Sequence, residues 1–273
     1  MINYELLKEV PQLEPKNQLE QMYSLQKSLL DHYISIEGLP KYPIDINPKE
    51  SQKLIRDFIN RLIEELAEGY QAYMKAFQLH QAHHQNDISD QVYLFNEEIG
   101  DSLHFLLELM IYSNINPEDI LSYYGVLFNE QNLLDAFPTS DALVTSMIYA
   151  RHCNINGFIL ENPRFPRDKK LAKSLHDGFM NGGRILNPLA MEQAKIQLWD
   201  VTYHLQLAAN KLKNKAWKQT AVNTEIGPYQ EQLMEAWLHY FRYLDFLGYE
   251  AYDIGRVYAV KNYVNQQRIK NNY

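Results

Sequence analysis

A single cysteine, Cys153, stands among the 273 residues, so no internal disulfide can form and the chain suits a reducing cytoplasm. No run of about 18 apolar residues, the length needed to cross a bilayer, occurs. The opening Met1-Ile2-Asn3-Tyr4-Glu5 lacks the charged-then-apolar pattern of an export signal. Positive charge is in deficit: 26 Lys and Arg against 34 Asp and Glu give a net charge of −8 and a pI near 5.6. That balance argues against a generic nucleic-acid surface. No G-x-x-x-x-G-K-[S/T] loop is present, which excludes an ATPase of that design. These absences predict a soluble cytoplasmic protein that binds neither membrane nor nucleic acid, and whose dealings with any polyanion rely on local cations.

What the sequence does contain is helix, and no convincing strand. Pro15 opens a helix that closes near Gly38-Leu39-Pro40. Asn47-Pro48 reads as an N-cap and first-turn pair for a long helix to about His80. A third helix starts near Asp87 to Asp90 and runs to Asn114, and Asn116-Pro117-Glu118-Asp119 begins another that ends near Phe137-Pro138. Asn154 to Asp168 reads as loop and Asn181-Gly182-Gly183 as a turn or joint. Asn187-Pro188 then starts a helix to about Lys213, followed by helices from about Tyr229 to Leu247 and from about Glu250 to Lys270. The expectation is one all-α domain over residues 1–273, a multi-helix bundle with two faintly similar halves, about 15–137 and about 187–273. In that comparison Leu205 and Ala208 of the second half fall where the first half has Glu65 and Glu68.

Two acid patches interrupt this helical text, Glu64-Glu65-Leu66-Ala67-Glu68 and Glu97-Glu98-Ile99-Gly100-Asp101. On the first helix the apolar stripe runs through Ile55, Phe58, Ile59, Leu62, Leu66, Tyr70 and Tyr73. At about 100° per residue, Glu65 flanks that stripe, Glu68 follows one turn on, and Glu64 points away. The second helix is apolar nearly all round from Leu103, and Glu98 and Asp101 share a side with Leu94, Phe105 and Leu109. Carboxylates ~6 Å apart repel by ~3 kcal/mol at an effective dielectric of ~20. Glu65, Glu68, Glu98 and Asp101 therefore need protons or divalent metal if they share an interior. All-oxygen donors favour Mg2+, with Mn2+ as substitute, and such a box can hold a polyphosphate for attack by water. The bland reading, solvated acids on a helix surface, suits Glu64 and Glu97.

The last helix carries a second pattern. Ile254, Val257 and Tyr258 continue along the same face as Lys261, Asn265 and Arg268. An inward stripe that turns from apolar to Lys-Asn-Arg aims at something anionic. The residues alone equally fit a helix emerging into water with cations near its negative end.

E-E-x-x-E on one helix and E-x-x-D on a later one resemble the all-α nucleoside-triphosphate pyrophosphatases, which include the dimeric dUTPases and MazG-like enzymes. Glu98-Ile99-Gly100-Asp101-Ser102-Leu103-His104-Phe105 is similar to the dUTPase form E-x-x-D-x-x-H-F. The C-terminal Lys261-Asn262-Tyr263-Val264-Asn265-Gln266-Gln267-Arg268, with Tyr273 last, is similar to the family's K-N-x-x-N-x-x-R-x-x-x-x-Y. The resemblance implies a homodimeric hydrolase of nucleotide metabolism that cuts dUTP to dUMP and pyrophosphate by attack at the β-phosphorus. It implies Glu65, Glu68, Glu98 and Asp101 as metal ligands, with Glu65 or Glu68 the base that takes the water's proton. Lys261, Asn265, Arg268 and Tyr273 would touch the triphosphate, Phe105 the deoxyribose, and Gln26 the base. The chain departs from the family at Leu30, where Asn is usual, and in Tyr70, Tyr73 and Lys75, which replace a Trp-Lys cluster. These departures bear on the base, leaving dCTP or a modified nucleotide as alternative substrates.

Other residues read plainly. His80, His83 and His84 fit a solvated helix end better than a metal site. Asp101-x-x-His104 looks like one limb of a di-iron carboxylate bundle, but no second Glu-x-x-His limb exists. Trp217-Lys218-Gln219-Thr220 is a loop whose tryptophan suits a substrate lid or a packing anchor, and Cys153 has no His partner and reads as inert. A catalytically silent helical interaction module is the remaining alternative.

Overall fold

The structure, a computed structural model, describes residues 10–13, 18–82, 88–120, 123, 188–215, 217, 219, 221–247, 249 and 251–271. The segments read above over 124–187, including Cys153 and the two loops, lie outside the described residues, as does Tyr273. Six helices are described in full: α1 (Gln18–Glu37), α2 (Lys49–Gln81), α3 (Ile88–Tyr112), α4 (Pro188–Lys211), α5 (Ile226–Phe246) and α6 (Ala251–Lys270). No strand occurs among the described residues, and the protein is all-α. No described helix is long and apolar enough to cross a membrane.

The helix ends follow local chemistry. Gly38 takes a φ of +67° and its N–H bonds the Ile34 carbonyl at 3.1 Å, a left-handed stop that glycine adopts without a Cβ clash. Asn114, with φ of +55°, ends α3: its N–H reaches Ile111 O, while Ile115 N–H reaches Met110 O at 2.9 Å. That paired return, with Ile115 buried beyond it, is a Schellman stop. The Asp119 side chain accepts from Asn116 N–H at 2.7 Å, as a capping box requires, and a helical turn follows at 117–120. One start differs from expectation. The Pro48 carbonyl accepts the first bond of α2 from Gln52 N–H, and the Asn47 side chain, instead of capping α2, accepts from Thr224 N–H at 2.9 Å.

Two hairpins, α2–α3 and α4–α5, pack so that α2 meets α4 and α3 meets α5, while α1 and α6 pair and cover α3. The centre is α3, whose Ile99, Leu103, Leu106, Leu107, Leu109, Met110 and Ile111 are all buried. A helix touched on several sides must be apolar all round, and this explains the missing solvent face of its sequence. Leu205 and Ala208 are fully buried on α4, packing core where α2 presents acid.

Candidate metal centre

Glycine sets the spacing around the acids. A Cβ on Gly69 of α2 would meet the Glu98 Cβ at 3.3 Å, and one on Gly100 of α3 would meet the Lys261 Cβ of α6 at 3.0 Å. Two small residues thus let α2 and α6 close on α3 at the level of the second acid patch. Glu65 from α2 and Glu98 and Asp101 from α3 are half-buried there, each with a carboxylate oxygen within 4.8 Å of the others'. Glu64 is exposed, as expected. Glu68 is exposed too and lies outside the converging set. Three residues on from Glu65 is a rotation of about 60°, enough to move a flanking position to the solvent side. Its charge still raises the pKa of Glu65 and Glu98.

Burial, a hydrogen bond to Glu98, and repulsion from Asp101, Glu98 and Glu68 push the Glu65 carboxyl up to about 8. The same contact lowers Glu98, whose pKa is nevertheless raised by burial and its acidic neighbours. Burial also raises Asp101, against the opposing pull of Lys261. At neutral pH the cluster thus keeps one proton of its own.

A second relief of charge comes from α6. Lys261 Nζ lies 2.6 Å from Asp101 Oδ2 and donates to Glu97 Oε1 at 2.9 Å. Burial pulls the Lys261 pKa down, but Asp101 and Glu97 outweigh it and hold the ammonium charged. Glu97, read from sequence as a solvated acid, is instead half-buried in this pair. The α6 stripe keeps the predicted order: Ile254 and Tyr258 in the core, Lys261 and Asn265 buried, and Arg268 exposed. The Arg268 guanidinium lies 3.4 Å from Asn265 Oδ1, and its field reaches both Asp101 and Tyr93. The acid patch of α3 and the basic stripe of α6 therefore share one place.

Next to it runs a buried polar chain. Gln26 Nε2 donates to Glu108 Oε1 at 3.0 Å, and Tyr258 Oη donates to Gln26 Oε1 at 3.0 Å. Asn262 Nδ2 donates to Tyr258 Oη at 3.2 Å. Gln26, the residue matched to base reading, is fully buried with its amide engaged at both ends. Burial pushes Glu108 up to about 8, against the hydrogen bond from Gln26 and the Arg61 charge. Phe105 is half-buried, 6.2 Å from the Phe58 ring and under the Arg61 guanidinium. His104 stacks on Tyr258 at 4.6 Å, and neither ring nitrogen has a hydrogen-bond partner among the described residues. Burial and Lys261 push it down to about 3, and it takes no part in the carboxylate group. Trp217 is 77% exposed, with Lys215 Nζ 5.3 Å from its ring centroid, so it does not anchor the core.

Sequence reasoning read Glu97 as solvated and passed over Glu108. The clue for Glu108 was available: it stands between Leu107 and Leu109 on the same all-apolar helix that made Glu98 conspicuous. The converging carboxylate oxygens of Glu65, Glu98 and Asp101 could hold a hard divalent cation, which takes oxygen donors. Compared with family models, curated proteins and solved structures, the chain matches none of them.

Proposed function

We propose that the protein is a Mg2+-dependent nucleoside-triphosphate pyrophosphatase that hydrolyses dUTP to dUMP and pyrophosphate. The observation that carries this reading is the ion pair of Lys261 with Asp101, which joins the acid motif to the C-terminal phosphate-contact motif. Glu65, Glu98 and Asp101 would hold Mg2+, or Mn2+ in its place, with Glu68 at the solvent edge. The bound ion supplies charge neutralisation at the phosphates and acidifies water. Glu65, once a bound cation has displaced the proton it holds near neutrality, or Glu68 takes the proton of the attacking water. Water's oxygen bonds to the β-phosphorus, the bond from that atom to the α–β bridging oxygen breaks, and dUMP leaves with the oxygen. Lys261, Asn265, Arg268 and Tyr273 would bind the phosphates, Lys261 exchanging a carboxylate for a phosphate oxygen. Phe105 would pack on the deoxyribose. Gln26 reaches a base only by giving up a bond to Glu108 or Tyr258.

The test is a nucleotide panel, including dUTP, dCTP and modified nucleotides, with and without magnesium, read by pyrophosphate release. Glu98→Gln and Asp101→Asn are expected to abolish turnover while leaving the helical circular dichroism intact. Full activity in either purified variant sinks the site. A purely structural cluster is favoured by one observation, that Lys261 already pairs with both Asp101 and Glu97. It predicts no stabilisation by magnesium plus a non-hydrolysable nucleotide, whereas a ligand at about 100 times its Kd adds about 2.7 kcal/mol.

A further inference from the structure

The α4–α5 hairpin carries a cluster of different chemistry. Asp200 and His204 are four apart on α4, and Glu235 and His239 are four apart on α5, so each pair shares one helix face. The helices run in opposite directions at this contact, since Asp200 lies by His239 while His204 lies by Gln232. His204, Glu235 and His239 each offer a donor atom within 4.8 Å of the others'. The two imidazoles stack at 4.7 Å with 19° between planes, so at least one ring must turn for both in-plane lone pairs to meet at one ion. Neutral imidazole is the form that ligates metal.

We propose that His204, Glu235 and His239 form a second metal site, one for a borderline divalent cation such as zinc. Hydrogen bonds orient two of the three ligands. His204 Nδ1 lies 3.1 Å from Gln232 Oε1, an acceptor, so Nδ1 carries the proton and Nε2 the lone pair. For His239, Nδ1 lies 3.8 Å from Asp200 Oδ2, beyond hydrogen-bond distance, and Nε2 lies 4.0 Å from Glu235 Oε2. Tyr123 Oη donates to Glu235 Oε1 at 2.7 Å and leaves Oε2 for the ion. Partners of this kind, here behind His204 and Glu235, help to fix metal sites. Two nitrogens and one oxygen suit zinc, whereas magnesium takes oxygen alone. Tetrahedral zinc donors sit about 3.4 Å apart, so a set lying within 4.8 Å closes by up to about 1.4 Å as the side chains rotate. Three protein ligands leave a fourth position for water.

The test uses the full, metal-stripped chain titrated with Zn2+ alone by calorimetry, in excess Mg2+ to occupy the acid centre, with Co2+ absorption as a second readout. One zinc per chain and tetrahedral cobalt bands are expected. His204→Ala and His239→Ala should each weaken zinc at least tenfold, and Gln232→Ala, a positioning change, about tenfold. His239→Asn stands in should the alanine variant fail to fold, as judged by metal-free thermal unfolding. Glu98→Gln and Asp101→Asn should leave zinc affinity unchanged. No zinc bound, binding unmoved by both histidine variants, or binding lost on changing the acid centre each overturns the proposal.

Discussion

Glu108 shows what a single buried acid does to a helical core. It sits on α3 with Gln26 as its donor and its carboxyl pushed up to about 8, so the folded protein keeps a proton that the unfolded chain releases near 4.5. Between those values the native state binds more protons, and stability must fall as pH rises. Glu108→Gln keeps the shape and the acceptor for Gln26 without the titration. It should change stability near pH 5 by less than about 1 kcal/mol, and chemical denaturation at pH 5 and pH 9 should show a smaller loss than in wild type. An unchanged loss would mean that Glu108 is ionised in the fold. Glu108→Ala, by contrast, strands the buried Gln26 amide and should cost about 1–3 kcal/mol beyond the lost packing. The same contrast separates Glu108 from Glu65, whose equally raised pKa comes with a cluster of acids that a cation can relieve.

Between elements, the joint that holds the α4–α5 connection to the start of α2 is polar and buried. Gln52 donates to Ile46 O and Thr224 Oγ1 at 2.8 Å each and accepts from Asn214 N–H at 2.8 Å. Arg56 adds bonds to Leu212 O at 2.6 Å and Asn214 O at 3.3 Å. Gln52→Leu leaves the Ile46 carbonyl and the Asn214 N–H without this partner, so a loss of about 2–4 kcal/mol is expected in urea denaturation. An effect below about 0.5 kcal/mol would show that water replaces the side chain. Nothing in the sequence announced this joint, because its partners lie 162 and 172 residues away from Gln52. Helices were legible since their periodicity and stops are local: Gly38, Asn116-Pro117 and the Ile55-to-Leu66 stripe each act within a few turns. Rotational phase was legible only to within a side chain, which is why Glu65 converges and Glu68 does not. The partners of Lys261 were hidden for the same reason as Gln52's, with 164 residues between it and Glu97. Asp200-x-x-x-His204 and Glu235-x-x-x-His239 were readable as two i, i+4 pairs, but only the packing of α4 on α5 puts them face to face.

For the molecule as a whole, the acid centre sits where α2, α3 and α6 meet, so its charge state and the stability of the bundle are one quantity. Without divalent metal, Glu65 keeps a proton up to about pH 8 that the unfolded chain gives up near 4.5. The metal-free protein should therefore be most stable on the acid side of this window and lose stability as pH climbs through it. A cation held by Glu65, Glu98 and Asp101 replaces that proton, so binding should release protons and tighten as pH rises toward 8. Thermal unfolding from pH 5 to pH 9, with and without saturating magnesium or manganese, reads both effects together. The two curves should meet at low pH and separate at high pH, with the metal-bound curve above. Glu98→Gln leaves Glu65 a neutral neighbour and one donor fewer, so its curves should separate much less. Glu108, which no cation reaches through its bond to Gln26, leaves a residual slope in both. Curves that run parallel at every pH would show that no proton leaves Glu65 on metal binding. In that case the acids are balanced by Lys261 and the proton on Glu65, and the cluster is a structural ion-pair network.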